Sequence, residues 1–159
     1  MNDDLTKSFK QVNHSVTKID ARQLALGRDS YVADFAPRDA LFVKMLWSPH
    51  PHARIVSIDV SEAEGMPGVK AVLWHGNVPR IAHCTAGQGF PEPSPYDTFM
   101  FDTKVRFVGD RVAAVAAETE AQALAAVAAI KVEYELLTPV LSIDEAMAPG
   151  APIIHDEPD

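Results

Sequence analysis

A chain of 159 residues suits one domain, and its 47% apolar and 23% charged residues are those of an ordinary soluble globular protein. The net charge of -8 argues against a nucleic-acid binder, because phosphate contacts need a basic surface. No apolar run approaches the roughly 20 residues that span a bilayer, and the acidic start Met1-Asn2-Asp3-Asp4 does not read as a secretory signal, so a cytoplasmic location is the default expectation.

Residues 1–27 are polar and lack sustained periodicity, as in a flexible lead-in or an arm that docks elsewhere. The folded domain is expected over 28–150, with 151–159 as a tail. From Ala40 to Trp47 an apolar run predicts a strand, closed by the extended Ser48-Pro49-His50-Pro51-His52. Ala53 to Val60 predicts a second strand, and its imperfect alternation suggests one that is largely buried. Ser61-Glu62-Ala63-Glu64 has the S-x-x-E form of a capping box, but Gly65 and Met66-Pro67-Gly68 confine that helix to a single turn. Val69 to Trp74 predicts a third strand.

Between Asn77 and Asp102 lies a long irregular stretch rich in Pro and Gly, carrying Phe90, Tyr96, Phe99 and Phe101. A loop of this length inside a compact domain usually serves a function or docks on a partner, and its aromatics argue against simple disorder. The clearest unit follows. Arg111 to Ala117 predicts a short apolar strand, and Thr119-x-x-Gln122 caps an alanine-rich helix running to about Ile130. Lys131 to Leu136 alternates with period two, as in a strand with one wet face. The helix alanines would let its backbone lie close to the sheet, leaving little of its surface suited to water.

No complete catalytic constellation emerges. A metal site built from His50, His52, His75 and His83 lacks a Cys or carboxylate at a ligand spacing, and Pro49 and Pro51 spoil the strand geometry that would align the first pair. His83-Cys84 could pair a nucleophile with a base, but adjacent side chains rarely face each other and no third group orients the histidine. The lone cysteine, Cys84, excludes an internal disulfide and any thiolate cluster held by this chain alone. Gly87-Gln88-Gly89 lacks the strand, helix and third glycine of a dinucleotide loop. Glu62 and Glu64, or Glu133 and Glu135, read as wet turn and sheet positions. The residues by themselves define a soluble α/β domain.

Several linked stretches carry a resemblance. Leu46-Trp47-Ser48-Pro49-His50-Pro51-His52-Ala53-Arg54-Ile55 is similar to the S-P-x-x-H-A-R-I signature near the start of molybdenum hydroxylase large subunits. Ser57 to Ala63, Met66 to Val72, Val105-x-Phe107-Val108-Gly109-Asp110, the alanine-rich helix and Val132 to Val140 follow in order at family-like spacing. From about Gly27 to the end, the chain resembles the xanthine dehydrogenase and aldehyde oxidase family. The region resembled is its N-terminal α/β hammerhead domain, an α/β fold with a mixed sheet and a β-α-β unit at about 111–136.

That resemblance implies a parent enzyme that hydroxylates a heterocycle or aldehyde with water oxygen at molybdopterin-bound molybdenum. Electrons would leave through 2Fe-2S clusters, often to FAD. The pterin-binding loops and the activating glutamate lie in later domains of the family, so no cofactor, metal or catalytic residue is assigned to this chain alone. The expected partners are the remaining molybdopterin-binding domains and the iron–sulfur and FAD subunits or domains. The family chain normally continues beyond Ile153-Ile154-His155, which implies a truncated or naturally split large subunit. The irregular loop helps line the substrate funnel in the family, making Gln88, Phe90 and Tyr96 the funnel candidates; packing of the aromatics against their own domain is the alternative. A stand-alone, non-enzymatic assembly or binding module on the same scaffold is the competing function, and a small metal hydrolase rests only on the histidines.

Overall fold

The computed structural model describes residues 12, 14–28, 31–85 and 95–156. The chain divides into two units, Met1–Ala40 and Leu41–Asp159. The first holds a short helix, α1 (Ala21–Ala25), which buries none of its residues, and one 3-10 turn, Val32–Phe35. Among the described residues no helix is long and apolar enough to cross a membrane.

The second unit holds β1 (Phe42–Trp47), β2 (Ala53–Asp59), α2 (Ser61–Glu64), β3 (Val69–Trp74), β4 (Lys104–Val105), β5 (Arg111–Ala117), α3 (Glu120–Ala129), β6 (Lys131–Leu136) and α4 (Ile143–Met147). Its strands form two three-stranded sheets, in the orders β1-β5-β3 and β4-β2-β6, and every pairing is antiparallel. The β-α-β order at 111–136 is therefore present along the chain, but its strands are not neighbours. β5 is the centre of one sheet and β6 an edge of the other, so two antiparallel sheets replace the expected mixed one.

Burial explains this split. One cluster packs Val60, Ala63, Val72, Ala113, Val115, Ala126 and Ile130, and a second packs Ala53, Ile55, Val105 and Val112. Adjacent strand residues face opposite ways, so β5 gives Val112 to one cluster and Ala113 to the other. A strand covered on both faces needs an unbroken apolar run, which Val112 to Ala117 supplies. Leu46, Ile58 and Val132 pack against both clusters and join them.

α3 lies across β1, β5 and β3. Ala123 and Ala126 are fully buried, as the small-residue reading anticipates, yet Ala121, Leu124, Ala125 and Ala128 are exposed, so the helix has a solvent face after all. Thr119 caps it by accepting from the Gln122 N–H at 3.2 Å, while its hydroxyl donates to the Gln122 side chain at 2.9 Å. The box expected at Ser61 does not form. Val60 is the N-cap, and the Asp59 carboxylate instead accepts from the Ser61 N–H and hydroxyl at 3.0 and 2.6 Å. A complete capping box occurs at Ser142 and Glu145, opening α4.

The second strand is half exposed rather than largely buried. Its register shifts between Ile55 and Ser57, so Ala53 and Ile55 point inward before the bulge and Ile58 after it. One extra residue reverses side-chain parity. That is the physical cause of the imperfect alternation.

Candidate functional site

The chemistry-bearing side chains gather between Val78 and Asp110. His83 and Thr98 form an isolated antiparallel bridge across the irregular stretch, with N–H to carbonyl distances of 2.8 and 3.2 Å. Beyond the bridge Phe99 and Phe101 are buried, so these loop aromatics help build the domain's own core. Tyr96 is 73% exposed and does not pack that way. Gln88 and Phe90 lie outside the described residues, as does Gly87-Gln88-Gly89.

Asp102 is the hub. Its carboxylate accepts from Arg80 Nε and Nη2 at 3.0 and 3.2 Å, from Arg106 Nη1 at 3.0 Å and from the Thr103 N–H at 2.8 Å. Burial opposes its ionisation, but the donors from Arg80, Thr103 and Arg106 outweigh it and hold the carboxyl below its ordinary range. The Arg80 guanidinium also lies 3.6 Å above the Phe99 ring, a cation–π contact. Arg106 reaches back to the Lys104 carbonyl at 3.0 Å. The buried Lys104 ammonium donates to the Ile154 carbonyl at 2.7 Å and to Asp156 at 2.8 Å, fastening the 153–156 segment to β4.

Next to the hub, Phe107 to Asp110 form a tight turn, with the Asp110 N–H donating to the Phe107 carbonyl at 3.1 Å and Gly109 at φ 90°. The Asp110 carboxylate accepts from the backbone of Arg106 and Arg111 at 3.0 and 2.8 Å. Ser48 binds the same turn from β1: its N–H donates to the Asp110 carbonyl and its carbonyl accepts from Gly109, both at 2.8 Å. Side chains of Asp102, Arg106, Phe107, Asp110 and His155 line a cleft of about 30 Å³, room for a water or two.

The Ser48 to His52 segment is a structural lock. The buried Ser48 hydroxyl and His50 backbone bond to each other at 3.0 and 3.1 Å. His50 sets its ring edge-on to Tyr134 at 4.9 Å. His52 is buried and its Nδ1 lies 2.7 Å from the Thr138 carbonyl, so that nitrogen carries the proton. The Leu137 N–H returns a bond to the His52 carbonyl at 3.0 Å. The two histidines thus have separate partners, and among the described residues no three His, Cys, Asp or Glu are grouped to hold a metal. His75 sits edge-on to Trp74, with burial lowering its pKa. Glu62 pairs with Lys131, and Glu133 accepts from Ser57.

Sequence reasoning missed the hub. The available signal was Asp102, Lys104 and Arg106, charged residues at alternate positions threaded between Phe101, Val105 and Phe107. Alternation of this kind ordinarily reads as one apolar and one wet face, so the burial of these charges shows only in the tertiary structure.

Two antiparallel sheets, a small-residue helix and an ion-pair hub define an α/β domain. Residues 26–138 match the family described as "Aldehyde oxidase and xanthine dehydrogenase, a/b hammerhead domain". The chain belongs to that family. It is 55% identical over 159 residues to the "Probable hypoxanthine oxidase XdhD" of Escherichia coli, covering 98% of this chain and 17% of that protein. Among solved structures it superposes on an aldehyde oxidoreductase from Desulfovibrio desulfuricans with TM-score 0.76 and 35% identity, covering 89% of this chain and 16% of the other. The quinoline 2-oxidoreductase of Pseudomonas putida gives TM-score 0.68 and 37% identity over 84% of this chain and 17% of that one. The chain therefore spans about a sixth of the length of each of these three proteins.

Proposed function

We propose that this chain is the N-terminal hammerhead domain of the molybdopterin-binding subunit of a xanthine dehydrogenase-like hydroxylase. One observation carries the reading: 98% of the chain matches the Escherichia coli relative, yet accounts for only 17% of it. The relatives named for hypoxanthine and quinoline, and the aldehyde oxidoreductase, support a heterocycle or aldehyde as substrate. In this reading molybdopterin-bound molybdenum supplies the redox centre, and water supplies the oxygen. Iron–sulfur and FAD domains or subunits would carry the electrons away, in the cytoplasm.

The residues around Lys104 and Arg106 do not fit a pterin cofactor. The buried cations Lys104 and Arg106 are engaged by Asp156, Asp102 and carbonyls, and the cleft beside them holds only a water or two. The cofactor is therefore assigned to other polypeptide, and the domains are taken as 28–150 with a lead-in at 1–27 and a tail at 151–159. Gln88, Phe90 and Tyr96 are proposed to border the substrate funnel. Aromatic walls suit planar substrates, and the 73% exposure of Tyr96 supports the assignment.

The test is to purify the protein from its source and measure molybdenum and hydroxylase turnover. Both are expected only in a species containing polypeptide beyond these residues. Turnover by the 159-residue chain alone would overturn the reading.

A further inference from the structure

We infer that the Phe107–Val108 turn is a rigid apolar knob that seats in the molybdenum-cofactor-binding polypeptide. This rests on the function proposed above and goes beyond it by assigning the docking surface. Phe107 and Val108 are 54% and 64% exposed in the first half of a turn whose backbone is pinned by hydrogen bonds. Gly109 and Asp110 are tied to Ser48, and the Asp110 carboxylate closes on both flanking N–H groups. A turn that only reverses the chain in water is well served by polar residues. Here an aromatic and a β-branched side chain are presented in one fixed geometry, so little ordering entropy remains to oppose binding.

The position of the turn identifies the occupant. Phe107 and His155 line the same cleft, and Lys104, two residues ahead of Arg106, holds the Ile154 carbonyl and Asp156. In the function proposed above, polypeptide following that segment would start beside the knob, where its local concentration would be high. The Escherichia coli relative carries about five-sixths of its length outside the matched region, enough to supply a complementary pocket. A second copy of the chain is the weaker occupant, because a net charge of -8 opposes self-association.

Alkylation of a V108C variant in the assembled holoenzyme, followed by peptide mass spectrometry to separate it from Cys84, tests the surface directly. Because Val108 is exposed within the domain, slow labelling must come from an added partner. The expected rate is at least about tenfold slower in the native enzyme than after unfolding in urea, since an interface core excludes water. Labelling at similar rates in both states overturns the inference. F107D is expected to lower molybdenum content at least about tenfold, by placing a charge in that core; unchanged content also overturns it. Protection in a preparation free of molybdenum-binding polypeptide assigns the knob to a second copy and overturns it too. Source protein that never contains such polypeptide overturns the functional reading, and this inference with it.

Discussion

At the scale of single residues, Asp102 matters most because it joins two arginines to the loop ends. Asp102 and Arg106 side chains are 8% and 7% exposed, so removing the carboxylate leaves a buried guanidinium without its counter-charge. D102N is expected to cost about 3 kcal/mol, read from urea unfolding at neutral pH. Its acid behaviour has a defined sign. The folded pKa lies below the ordinary 3.8, so the unfolded chain binds more protons between the two values, and stability rises with pH there. The Asp102 contribution is complete above the ordinary value and lost as pH falls through the folded one. D102N should therefore flatten the acid-side decline in stability. An equal decline in both proteins would refute the assignment. Gly109 is a simpler case. Its φ of 90° lies where L-residues are strained, while a Cβ there meets nothing within 4 Å. Gly109→Ala is thus expected to cost about 1 kcal/mol from backbone strain alone.

At the scale of elements, α3 shows how residue size sets an interface. Ala126 is fully buried against the sheet and Ala125 faces solvent on the same helix. Ala126→Leu is expected to destabilise by about 1–3 kcal/mol through overpacking. Ala125→Leu should stay within about 0.5 kcal/mol. Thermal unfolding of the pair measures the contrast, and equal effects would mean that α3 does not pack as described. Gly68 belongs to the same interface: its φ of 83° strains L-residues, and a Cβ there would also push aside the Gln122 side chain of the first turn of α3.

Across the Leu41–Asp159 unit, β4, the irregular loop and the 153–156 segment are drawn together by Lys104 and Asp102. Lys104→Met keeps most of the side-chain volume and removes the ammonium. It should speed hydrogen exchange in 153–156 while leaving β5 protected, since only the tail loses its anchor. Exchange unchanged in both would show that Lys104 does not hold the segment. Tyr96 offers the complementary case. Being exposed, Tyr96→Ala is expected to alter stability by less than about 0.5 kcal/mol. In the intact enzyme it should change substrate preference, as should Phe90→Ala; unaltered turnover and specificity in both would count against the funnel proposal.

Local chemistry made much of the domain legible from its residues. Val69–Trp74 and Arg111–Ala117 are marked by their own apolar runs, Lys131–Leu136 by its alternation, and the alanine helix by Thr119. The linked motifs around Ser48-Pro49-His50-Pro51-His52 and Phe107-Val108-Gly109-Asp110 pointed to the family, and the structure shows the two segments bonded to each other through Ser48. Strand partnership was decided at longer range. Periodicity says which residues point inward, but not whether β6 joins β5 or β2; that depends on burying Val112 and Ala113 on opposite faces at once. The Asp102 hub was hidden for the same reason. A charged side chain reads as wet until the fold brings a counter-charge from 22 residues away and removes the water around Asp102.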